Sequence, residues 1–264
     1  MINIIKRQFN EQKNSVLIYL ISLIGYSLLM ISMFPQMKKM DIEALIASYP
    51  EEIAKFFGES GMASYGTIEG FLAMEFLSFF FILILMFYIG SAAGSVIAGQ
   101  IEKKTIDFNL SQPISRTKIV LSNTIIIMFF SGALVTLISL SIWLLCQSYN
   151  IDISAKGLTA FTILATIFVW AFYGIAILLS SILRSKIGVT LLTVGFSLAS
   201  YVFLSLSRVS DKLKDYDRFS IFYLYNPEEV LKTGNINWTH IAILASVFII
   251  GLTGSIIIFN KKDV

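Results

Sequence analysis

The chain has one cysteine, Cys146, and one histidine, His240. A disulfide framework and a Cys/His metal cluster are thereby excluded. Charged residues make up only 14% of its 264 positions, too few for the surface of a water-soluble domain. No G-x-x-x-x-G-K-[ST] phosphate loop and no dinucleotide fingerprint occurs anywhere in it, so the chain has no recognisable means of holding a nucleotide. An intramembrane serine protease needs a GxSG serine and a helix-borne histidine. The nearest match, GSAAG at 90–94, does not supply the serine. A metal-dependent one needs HExxH, which is also missing.

What the chain does have is apolar length. Hydrophobic residues form 56% of it and the mean hydropathy is +0.78. Apolar runs of eighteen or more residues recur, the pattern of membrane-spanning helices, and nothing shows the two-residue alternation of a barrel strand. The runs predict an all-α membrane protein, one domain over 1–264, with six spans at about 15–34, 71–98, 116–146, 157–183, 187–207 and 239–259. Residues 1–14 place Ile2, Ile5 and Phe9 on one face and predict a helix lying in the interface. A cleavable leader is set aside, because the run 15–34 has full spanning length and no small-residue cleavage site follows. Within 35–70, helical spacing predicts two short helices outside the membrane. Ser115 stands where it can cap the third span.

Charge sets the orientation. The N-terminus, 99–118, 184–186 and the tail carry eleven of the twenty Lys and Arg against four acids. The opposite segments carry nine basic and thirteen acidic residues in greater length. The positive-inside rule therefore puts both termini in the cytoplasm, consistent with an even number of spans.

Three groups of residues stand out. The first is the segment Ala98–Arg116, AGQIEKKTIDFNLSQPISR, about twenty residues where a turn needs a handful. Ile101, Thr105 and Phe108 share one helical face and Ile106 and Leu110 another, before Pro113 prevents continuation. Pattern alone leaves two readings open: a short helix whose knobs enter a partner's groove, or an amphipathic turn resting on headgroups with Lys103 and Lys104 reaching phosphates. The second group is the row Gly90, Gly94 and Ala98, repeated more weakly by Gly195 and Ala199, where small residues let helices approach closely, for internal packing or for lining a pathway. The third is the aromatic set Phe219, Phe222, Tyr223 and Tyr225, readable as interfacial anchors or as an outer gate. Glu75 is the one ionisable side chain near a span interior, and it is assigned to the outer interface. That leaves little for a secondary transporter or channel to work with, although both remain alternatives, with the intramembrane hydrolase behind them.

The segment 98–116 resembles the signature of ABC type-2 permeases, the membrane subunits of ATP-driven exporters. Ala98, Gly99, Glu102, Thr105, Leu110, Pro113, Ser115 and Arg116 match that pattern. Gln100, Lys104, Asp107 and Asn109 depart from it, standing where the family has Glu, Gly, Glu and Leu. YPEEIAKFFG (49–58), IEGFLAMEF (68–76), YLYNPEEVL (223–231) and the tail FNKKDV are similar to further family segments.

The resemblance implies that 99–115 is a coupling helix meeting a separate ATPase subunit. Ile106, Phe108 and Leu110 would then be its knobs, and Glu102, Lys103 and Arg116 its polar contacts. It also implies a pathway between two six-helix halves, identical or sister copies, lined by their second and fifth spans, in a bacterial-type cytoplasmic membrane. ATP and Mg would be bound by the partner and no cofactor by this chain. Spans without buried charge suit an amphipathic or hydrophobic cargo, such as an antimicrobial or toxin peptide, a lipid or a drug.

Overall fold

The computed structural model describes residues 2–37, 64–105, 115–210 and 212–262, and among them every regular element is helical. Helix α1 runs Ile2–Met37. After a 3-10 turn at Ser64–Gly66 come α2 (Ile68–Leu72), a π-helical turn (Ala73–Leu77), α3 (Phe80–Val96) and α4 (Ala98–Glu102). Then follow α5 (Arg116–Ser148), α6 (Ala155–Ile182), α7 (Lys186–Val209), α8 (Pro227–Thr233) and α9 (Trp238–Lys261). Among the described residues, six stretches are long and apolar enough to cross a membrane: Gln8–Met37, Ile68–Val96, Arg116–Ser148, Ala155–Ile182, Lys186–Arg208 and Trp238–Lys261. The two short helices expected within 35–70 fall mostly in 38–63, outside the described residues.

The six spans start and stop for local reasons. Ser115, Ser154, Ser185 and Asn237 are the N-caps of α5, α6, α7 and α9, each accepting from a backbone N–H of the first turn. Asn226 caps α8 with Pro227 at its first position, and Gly234, at φ 65°, ends it in the left-handed region.

Two elements differ from the expectation. Residues 2–14 do not form a separate helix but are the first turns of α1, since no Gly or Pro interrupts the stretch before the apolar run. The second span is not one regular helix. It passes through the π turn at Ala73–Leu77 and breaks again at Ile97, where φ is −124° and ψ −62°.

The second, third and fourth spans form the buried interior, and the first, fifth and sixth face outward. Side-chain packing is densest where aromatic residues meet. Phe76, Phe81, Phe161, Phe168, Phe172 and Tyr173 are all fully buried. Spans four and six make the most extensive helix pairing, and spans two and five the next. Both depend on glycine. A Cβ at Gly251 would lie 2.2 Å from the Gly174 carbonyl oxygen, and one at Gly90 would lie 2.9 Å from the Thr190 Cα. Backbones this close gain dispersion contacts along their whole length, the main attraction available between helices in lipid.

Candidate functional site

The segments richest in basic residues converge at one end of the bundle. There α4 carries span two past its break at Ile97. Its N-terminal Ala98 N–H donates to Ser180 Oγ of α6 at 3.2 Å. At its other end Glu102 Oε2 accepts from the Lys186 backbone N–H at 2.8 Å, so a carboxylate sits on the first turn of α7, where a helix terminus favours negative charge. Gly94 and Gly99 permit this closeness. A Cβ at Gly94 would lie 2.9 Å from the Lys186 carbonyl oxygen, and one at Gly99 would be 3.4 Å from the Lys186 Cβ. The end of span two is thus fastened to the start of span five.

A second fastening joins spans three, four and six. Arg116, in the first turn of α5, donates through Nη1 to the carbonyls of Phe259 and Lys262 at 2.7 and 2.5 Å. Its guanidinium also lies 5.3 Å from the Phe259 ring centroid, within cation–π range. Lys262 Nζ in turn donates to the carbonyls of Ser181, Ile182 and Leu183, between 2.8 and 3.3 Å, at the C-terminal end of α6. These are carbonyls that a helix end leaves without partners. Burial and the neighbouring Arg184 charge hold the Lys262 ammonium below the usual lysine range.

Glu102 and Arg116 are engaged within the chain, Glu102 with span five and Arg116 with the end of span six. Lys103 is exposed beside them. Ile106, Phe108, Leu110 and Pro113 lie outside the described residues. Gly90, Gly94 and Ala98 face neighbouring helices within the chain, whereas Gly195 has no atom within 4 Å of where a Cβ would stand and Ala199 is exposed.

The four aromatics Phe219, Phe222, Tyr223 and Tyr225 do not form one cluster. Phe222 and Tyr225 are buried against Phe168, with ring centroids 5.1 and 4.5 Å away, and the Tyr225 hydroxyl donates to the Leu77 carbonyl at 3.0 Å. Tyr223 lies 5.7 Å from the His240 ring, and the Phe219 ring, 80% exposed, lies 6.2 Å from that of Tyr216. Glu75 stands in the π turn, where the Tyr65 hydroxyl donates to its carboxylate. Burial, that hydrogen bond and the carboxylate's charge all raise the Tyr65 phenol above the usual tyrosine range.

Sequence reasoning missed Gly174 and Gly251, which form one of the closest backbone approaches among the described residues. The four-residue interval from Gly251 to Ser255 could have pointed to one side of it. It also missed a cleft of about 540 Å³ between α1, α3 and α4 at the same end as the fastenings. Its signal is legible afterwards: Gln8, Gln12, Ser15 and Tyr19 on α1, and Tyr88, Ser91 and Ser95 on α3, both recur three or four residues apart.

A family model described as "ABC-2 family transporter protein" matches residues 4–264. No curated protein and no solved structure matches the chain.

Proposed function

The chain belongs to the ABC-2 transporter family, and from that premise we propose that it is the permease subunit of an ATP-driven exporter, paired with a second permease and powered by a separate ATPase. The family match over nearly the whole length is the observation that carries this reading. ATP and its Mg belong to the partner, since the chain has no phosphate loop. Both termini and the 99–115 segment lie on the cytoplasmic side of a bacterial-type plasma membrane, the side that the distribution of lysine and arginine favours. The cargo is amphipathic or hydrophobic, with peptide, lipid and drug all compatible.

In this reading the coupling segment, with Ile106, Phe108 and Leu110 as its knobs, docks on the ATPase, and closure of the ATPase dimer displaces it. Displacement at 99–115 enters the bundle at two places. Through α4 and Ile97 it reaches span two, and through Glu102 and the Lys186 N–H it reaches span five. These two spans then move against the group that Arg116 and Lys262 tie together, spans three, four and six. Packed cores rearrange between discrete states rather than deforming smoothly, so such a shift suits an inward-to-outward switch. The break at Ile97 and the π turn give span two the irregular backbone at which it can bend.

The test is the pair of substitutions Ile106→Asp and Phe108→Asp in the reconstituted complex. The variants are expected to fold and insert, yet to lose both ATPase co-purification and transport. Survival of both activities would reject the coupling role.

A further inference from the structure

The cleft between α1, α3 and α4 is lined by polar side chains where a lipid-facing groove would be apolar. Its walls are the two polar stripes, and its inner end is closed by Tyr19 and Tyr88, whose rings meet edge to face at 5.5 Å. Below them lies Gln12, 8% exposed. The Tyr88 hydroxyl donates to Gln12 Oε1 at 2.9 Å, which fixes the amide and leaves its Nε2 donor without an acceptor among the described residues. A buried donor in that condition is costly unless something entering the cleft accepts from it. Charge at the other end has one acid, Glu11, against two ammonium groups, Lys103 and Lys186. Hydroxyls of Ser15 and Ser91 line the space between.

We propose that this cleft is a binding site for a phosphate-bearing headgroup. Phosphate oxygens accept from amide, hydroxyl and ammonium donors at once, the set the cleft presents. A volume of about 540 Å³ is of the order that small polar ligands occupy. The same α1 that carries the polar stripe exposes Leu17, Ile18 and Ile21 beside it, so the ligand can be a membrane lipid whose chains lie on that face. A soluble phosphate ester has the same recognition chemistry. Binding at this site is a property of the chain alone and requires neither the ATPase nor transport.

The full chain, purified in a neutral detergent and delipidated, is to be heated with dihexanoyl-phosphatidylglycerol, dihexanoylglycerol, sn-glycerol 3-phosphate or inorganic phosphate. The unfolding midpoint is expected to rise with the phosphatidyl lipid and not with the uncharged diacylglycerol. A shift of equal size from glycerol phosphate assigns the site to soluble esters; a shift only from the phosphatidyl lipid assigns it to lipid. Gln12→Leu is expected to abolish the effect. Lys103→Gln, at an exposed position where folding is not at stake, weakens the apparent affinity about threefold or more. No shift with any phosphate compound overturns the site, as does an equal shift with diacylglycerol. Unchanged binding by Lys103→Gln overturns it even if Gln12→Leu fails to fold.

Discussion

Lys104 has φ 53°, in the left-handed region. It follows α4 in a tight stop, with the Lys104 N–H bonded to the Ile101 carbonyl and the Thr105 N–H to the Gln100 carbonyl, both at 3.0 Å. Glycine is the usual occupant of that position because a Cβ costs about 1 kcal/mol there. The family pattern has glycine where this chain has lysine, and the structure keeps the turn regardless. Lys104→Gly is therefore expected to stabilise the protein by about 0.5–1 kcal/mol, read as a higher unfolding midpoint in detergent. Asn150 stops α5 in the same conformation at φ 54°, but asparagine tolerates it better, so Asn150→Gly should gain less. Tyr65 offers a pH test at the other end. Its phenol ionises above the unfolded value near 10. The stability it contributes is complete below that pH and is lost as pH rises toward the folded value. Tyr65→Phe is expected to remove this alkaline component from the unfolding midpoint measured against pH.

At the scale of the helix, glycines separate two kinds of surface. Gly251 and Gly90 face backbone at distances no side chain can share, while Gly195 faces open space. Gly251→Val and Gly90→Val are expected to cost about 1–3 kcal/mol or more, seen as reduced folded yield by size-exclusion chromatography. Gly195→Val should leave the yield of the single chain unchanged. If all three behave alike, the helix pairings described are wrong. The six spans themselves were legible because apolar length is a property of composition, and Ser115 was legible as a cap because its role is local. The π turn was not, since AMEFL reads as ordinary helix and the bulge is settled by what packs around Phe76 and Leu77. Nor could spacing reveal that Arg116 reaches carbonyls 143 and 146 residues away, or that Glu102 caps a different span. A charged side chain's target is decided by tertiary approach, and the sequence holds only the donor.

The whole molecule joins a basic end, where two fastened sets of spans meet at the Ala98–Ser180 hydrogen bond, to an opposite end held by aromatic packing. If Glu102 carries motion into span five, breaking that one contact should uncouple the machine without dismantling it. Glu102→Ala is expected to retain ATPase binding and ATP hydrolysis while transport falls by about tenfold, the equivalent of about 1.4 kcal/mol. Loss of ATPase binding in this variant would instead place Glu102 in the subunit interface. Drive from ATP requires that the 99–115 segment meet the ATPase on the cytoplasmic side. A photo-crosslinking amino acid placed at Phe108, and separately at Phe219, tests it most directly in intact cells, with the cross-linked partner identified by mass spectrometry. Position 108 is expected to capture a protein carrying a phosphate-loop motif, and position 219 is expected not to. Capture of that ATPase from 219 and not from 108 would contradict it.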